Sequence, residues 1–179
     1  MKTSICSFAI ETFVPMLRSL SGVLDKGAEH ASANKIDSSV LVNARLAPDM
    51  YTLAQQVQLA CRQASDATAH LLGQDAPQFE NNEKTLEELK ARIAKTIEYI
   101  TSVRETAFEG AENREIIIPI PENKIAVMNG VQFLRDWALP HFYFHVVTAY
   151  GILRHNGVNI GKIDYMNQVG KYIRQRNPA

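Results

Sequence analysis

Apolar residues recur at three- and four-residue spacing in four long stretches of this chain, and each such stretch predicts an amphipathic helix. The first runs from about Thr3 to about Glu29, with Ile5, Phe8, Ala9, Thr12, Phe13, Met16, Leu17, Leu20 and Leu24 facing inward. Pro15 falls inside it and predicts a kink or one lost backbone bond. The second opens at Ala47-Pro48-Asp49, where a proline and an acid suit a first turn. It runs to Leu72 and stops at Gly73, a natural C-cap. Met50, Leu53, Ala54, Val57, Cys61, Ala64, Thr68 and Leu71 form its inner stripe, and its small residues let a neighbouring helix come close. The third opens on Thr85-Leu86-Glu87-Glu88, a capping box, and ends near Val103. Leu86, Leu89, Ile93, Ile97 and Ile100 carry its core face. The fourth spans Val131 to His155 and stops at Asn156-Gly157, with Pro140 predicting a kink within it.

Between the third and fourth helices the pattern changes. Residues 114–120 and 124–128 are β-branched runs separated by Pro121-Glu122-Asn123, and they predict a small hairpin or a pair of extended segments. Pro119 makes its strand an edge or bends it. From Val158 the chain reads as a loop and a short amphipathic helix around Asp164 to Ile173. Four long helices in 179 residues predict one all-α domain over residues 1–179. Its expected form is an up-down four-helix bundle with a small extended insertion and a short C-terminal helix.

Composition narrows the partners. Nineteen basic residues balance nineteen acidic ones, which argues against nucleic acid, whose backbone calls for clustered Lys and Arg. Lys171, Arg174 and Arg176 read as a solvated tail. The two cysteines, Cys6 and Cys61, lie far apart in helical patterns, as reduced, buried thiols do. The N-terminal stretch is interrupted by Glu11 and Pro15, unlike a signal peptide, and no window reaches the ~20 apolar residues of a membrane span. A soluble, cytoplasmic protein with no membrane partner is the expectation.

The candidate chemistry lies in the fourth helix. HFYFH, residues 141 to 145, holds two of the five histidines four residues apart, a spacing that stacks both imidazoles on one helical face. At ~100° per residue, Leu134, Trp137, His141, His145, Thr148, Ile152 and His155 fall within an arc of about 80°. His141 and His145 are about 6 Å apart along the axis, whereas His155 is about 15 Å beyond and suits the helix C-terminus. A metal centre needs a third ligand. His70 and His30 read as surface residues. Asp49 and Gln56, seven residues apart, share a stripe at the core edge; Asp49 could ligate, and Gln56 suits a hydrogen bond to an imidazole. Periodicity alone favours satisfied core histidines over a metal site. Arg45 and Arg154 either hold a carboxylate or phosphate, or pair with Asp49 and cap helix ends.

The stretches LAPDMYTLAQQV at 46–57, FEGAENREI at 108–116, LPHFYFHVVTAYGILRHNGV at 139–158 and Ile160-Gly161-Lys162 carry a resemblance. They resemble a bacterial domain family of unknown function among the DinB/YfiT-like four-helix bundles, with RLAPDM and FYFHVxTAYxILRHNG the specific motifs. The similarity covers essentially the whole chain and implies a DinB-like bundle. The branch brings no established reaction. The wider superfamily implies metalloproteins with one histidine on the second helix and two on the fourth around nickel or zinc; some transfer low-molecular-weight thiols. His145 and His141 match the fourth-helix positions, while Gln56 or a neighbour stands where the second-helix histidine falls. The resemblance also implies a homodimer.

Three functions follow. The favoured one is small-molecule binding in a metal-free polar pocket lined by Asp49, Gln56, Tyr143, His145 and Tyr150. There Asp49 orients His145, and His145 acts as donor, acceptor or base. The second is a zinc- or nickel-dependent hydrolase or thiol transferase with His141, His145 and Asp49 as ligands. The third is a non-enzymatic dimeric interaction protein.

Overall fold

The structure, a computed structural model, describes residues 4–175. Its helices are α1 (Ile5–Ala33), α2 (Ser38–Asn43), α3 (Leu53–Leu72), α4 (Leu86–Ser102), α5 (Gly130–Gln132), α6 (Leu139–His155) and α7 (Lys162–Tyr165). Strands β1 (Glu115–Ile120) and β2 (Lys124–Asn129) form one antiparallel hairpin. Among the long helices, α1 and α3 each pack against both α4 and α6, giving a four-helix bundle around one core. Thr3 and Arg176 lie outside the described residues.

Helix α1 starts where Ser4 accepts a hydrogen bond from the Ser7 backbone and runs without interruption through Pro15. Phe13, Leu17, Leu20 and Leu24 are buried, but Phe8 sits half exposed outside the core. Residues 29–47 give no clear periodicity, yet Ser38–Asn43 form α2, capped by the Asp37 carboxylate.

The start of α3 differs from the expectation. Asp37, Ala44 and the turn at Pro48-Asp49 all precede it, and its cap is Thr52. The Thr52 hydroxyl accepts the Gln55 N–H while Gln55 Oε1 accepts the Thr52 N–H at 2.9 Å. This capping box satisfies two orphan donors at once, so it outcompetes the proline-acid start. Asp49 is therefore off the helix and exposed. At the other end Gly73 adopts φ +70°, and a Cβ there would sit 2.0 Å from the Arg114 guanidinium. Helix α4 carries the Thr85–Glu88 capping box.

The fourth predicted helix is compound. Asn129 and Gln132 form a capping box at the start of α5. Gly130 there admits no side chain, because a Cβ would lie 1.9 Å from the Ala111 carbonyl oxygen. Residues Phe133–Ala138 then form a π segment, in which the Leu139 N–H donates to the Leu134 carbonyl, before α6 begins. Pro140 has no N–H, and its ring would crowd the carbonyl four residues back in an α-helix. The wider π turn relieves that conflict one residue ahead of the proline.

In the hairpin Ile117 faces Val127 and Ile118 faces Ala126. Ile116 is buried against the bundle, whereas Ile117, Ile125 and Val127 are exposed on the outer face. The C-terminal segment is shorter in its helix than expected: α7 gives way to a 3-10 turn at Asn167–Tyr172. Asp164 ties it down, accepting from Lys26 of α1 at 2.6 Å and from the Gly161 N–H at 2.7 Å. No helix among the described residues is long and apolar enough to cross a membrane.

Candidate functional site

Gln56 lies one turn into α3 on its α6-facing side and is 1% exposed; His145, on α6, is 8% exposed. Gln56 Oε1 and His145 Nδ1 are 2.8 Å apart. The Gln56 Nε2 group reaches the Tyr51 carbonyl at 3.5 Å, which directs Oε1 at the imidazole. The His145 Nδ1–H is thus the donor, and its proton sits on Nδ1. Burial, with a smaller contribution from His141, pulls the His145 pKa below the ordinary histidine value. The ring is neutral at pH 7, and its Nε2 carries a lone pair.

His141 repeats the pattern. Its Nδ1 is 2.9 Å from the Trp137 carbonyl oxygen, which can only accept, so this proton also sits on Nδ1. The Trp137 ring meets the imidazole edge-on at 4.7 Å and holds its plane. Two imidazoles one turn apart are therefore each fixed through Nδ1, and the neutral His145 ring is left with an unprotonated Nε2. Phe144 packs edge-on to His145 at 5.4 Å on the solvent side.

The remaining predicted site residues lie elsewhere. Asp49 is exposed in its turn, and Arg45 donates to the Pro48 carbonyl at 3.2 Å rather than to a carboxylate. Arg154 braces the end of α6 through the Val158 carbonyl at 3.4 Å. Tyr150 packs edge-on to Tyr165 of α7 at 6.0 Å. Tyr143 neighbours that same tyrosine, and burial raises its phenol pKa; burial and then Tyr143 raise that of Tyr165. Tyr143 and Tyr150 thus gather towards α7, because they stand about 160° and 140° around the helix from His145 at ~100° per residue. His155 is exposed. His70 is half buried, with its ring edge-on to Phe133 at 5.3 Å, and His30 is half buried beside Asn34.

The superfamily's three-histidine metal centre does not fit these residues. Gln56, which with its neighbours spans the region of the expected second-helix histidine, is a neutral amide, and its oxygen is engaged by His145 Nδ1. Among the described residues no group of three His, Cys, Asp or Glu side chains gathers as a metal would require. The cysteines offer no substitute: both are free and buried, and burial pushes the Cys61 thiol up to about 12.

One feature near the histidines has no counterpart in the expectations. Trp137 also lines a cavity of about 270 Å³ between α3, β1 and the π segment. Its α3 wall includes Leu59, Arg62, Gln63, Asp66 and His70. The spacing of those five is helical and visible in the sequence, but it marks the polar side of α3, which reads as a solvated face.

Comparison with known proteins gives a family and a fold. The family model described as Domain of unknown function (DUF1993) matches residues 6–166. A crystal structure of a DinB family member protein from Shewanella denitrificans is 42% identical, covers 88% of each chain and superposes with a TM-score of 0.81. No curated protein matches.

Proposed function

The chain belongs to the DUF1993 family of DinB-like domains of unknown function, and from that premise we propose that it binds a small molecule at the His141–His145 face without a three-histidine metal centre. The observation that carries this reading is the buried Gln56–His145 hydrogen bond. It gives His145 a neutral amide partner and sets its tautomer, which supports a metal-free reading. The His145 Nε2 lone pair accepts an N–H or O–H group of a ligand, with the His141 Nε2 beside it as a second contact, and His145, neutral at pH 7, serves as a base where such a proton is to be removed. Trp137 and Phe144 flank the imidazoles and give the ligand's apolar parts a surface.

The test uses the imidazole nitrogens as reporters. A library of hydroxyl- and amide-bearing fragments is screened by ¹H–¹⁵N NMR, alongside zinc and nickel titrations by calorimetry on protein purified without an affinity tag. Fragment hits should shift the Nε2 signals of His145 and vanish in His145→Ala, with a smaller effect of His141→Ala. Stoichiometric metal binding tighter than about 1 µM, lost in both variants, would sink the metal-free reading in favour of a metal-dependent hydrolase or thiol transferase.

A homodimer is a second reading, favoured by two apolar side chains one turn apart on the outer face of α6: Phe144 is 58% and Val147 49% exposed. Sedimentation should give a dimer that Phe144→Glu dissociates; a monomer at every concentration would remove it.

A further inference from the structure

The cavity beside Trp137 has a chemistry of its own. Its floor is apolar, with Leu59, Ala67, Ile118, Phe133 and Trp137. Its rim carries one cation and one anion, Arg62 and Asp66, on successive turns of α3. Their pair is weakly held: Arg62 Nε lies 3.2 Å from Asp66 Oδ2, and the side chains are 64% and 32% exposed. Exposed pairs of this spacing contribute little to stability, so a ligand can separate them at little cost. A guanidinium presents paired donors to a carboxylate, and a carboxylate accepts from an ammonium. A simple anion would meet the like charge of Asp66, and a simple cation that of Arg62. The rim therefore selects a molecule carrying both charges, and the floor selects an apolar group between them.

We propose that this cavity binds a zwitterionic α-amino acid with an apolar side chain. Arg62 takes the carboxylate, Asp66 the ammonium, and the Phe133–Trp137 floor the side chain. The site is built by the π segment, whose wide turn sets Phe133 and Trp137 opposite α3. It does not depend on ligand binding at the histidine face.

Trp137 is the one tryptophan of the chain, so intrinsic fluorescence reports on this floor, and because the same ring also meets His141 the histidine face is controlled for by His145→Ala. The probes are L-leucine, which does not itself fluoresce, 4-methylpentanoate, which lacks the ammonium, and isoamylamine, which lacks the carboxylate. Leucine should give a saturable change in the wild-type protein, with both analogues at least tenfold weaker. Arg62→Ala and Asp66→Ala should each weaken leucine at least tenfold. Asp66→Ala should also bind 4-methylpentanoate more tightly than the wild type does, because the like charge is gone. His145→Ala should titrate as the wild type, which separates this site from the histidine face. Circular dichroism checks that the variants are folded, and the comparison of the three probes in the wild type stands without them. No saturable change up to about 10 mM leucine, equal affinity for all three probes, or folded variants that titrate like the wild type would overturn the proposal.

Discussion

A single amide oxygen, Gln56 Oε1, decides which ring nitrogen of the most buried histidine carries its proton. Replacing Gln56 by Leu should leave the His145 N–H buried without a partner and cost about 1–3 kcal/mol, read from urea denaturation. The same burial gives a pH dependence. The His145 pKa is lowered in the folded protein, so as pH falls the unfolded chain takes up this proton first. This contribution to stability is fully present above the unfolded histidine value of about 6.5. It is lost as pH drops below that value and levels off once the folded value is passed. Urea midpoints between pH 7.5 and 5 should fall for the wild-type protein and fall less for His145→Gln; parallel curves would count against it. At Gly73, φ +70° strains any side chain and a Cβ would also push the Arg114 guanidinium aside, and Gly73→Ala should cost about 1 kcal/mol in the same assay. The residue types of the site are legible in the sequence, since HFYFH and Gln56 stand out by spacing alone. Their geometry is not. Asp49 shares a stripe with Gln56 only if one helix carries both, and the Thr52 cap starts that helix after Asp49.

At the level of elements, capping chemistry decides the boundaries. Where the sequence reading followed a capping box, at Thr85, the helix starts where expected. Where it followed proline and acid instead, at Ala47-Pro48-Asp49, the structure begins α3 several residues later, at a box that Thr52-Leu53-Ala54-Gln55 spells out. Thr52→Ala should therefore cost about 1 kcal/mol, a loss that thermal unfolding would register, whereas Asp49→Ala should cost almost nothing. The hairpin is legible because β-branched runs flank a turn of Pro121, Glu122 and Asn123, the last two with positive φ. The π segment is not legible: periodicity assumes 3.6 residues per turn, and only tertiary packing reveals where that count slips. Pro140 is the single local hint, and it marks the end of the irregularity rather than its centre.

Across the whole molecule, the long connection from α3 to α4 is clasped by one buried cation. Arg92 of α4 is 5% exposed and pairs with Glu83, 10% exposed, at 3.0 Å. It also donates to the Glu80 carbonyl at 3.0 Å and the Asn81 side chain at 3.3 Å, and stacks over the Phe79 ring at 4.7 Å. Gln58 of α3 completes the clasp through Glu83 at 2.9 Å. Arg92→Met leaves the Glu83 carboxylate unpaired, and about 3–5 kcal/mol should be lost; hydrogen exchange of residues 74–84 should rise with it. The clasp is hidden from periodicity, which counts Arg92 as a polar position between Leu89 and Ile93. The π segment has a consequence of another kind, for inheritance. It holds one residue more than an α-helix of the same rise, so losing a single codon between Phe133 and Ala138 would restore the regular period. Because the wide turn absorbs the extra residue, that deletion would leave α5 and the hairpin close to their present orientation relative to α6, with Gly130 still against Ala111. A frame-preserving deletion, which in a regular helix turns everything beyond it by about 100°, would here be absorbed, and lineages of this chain should differ by one residue in that segment more readily than in α6.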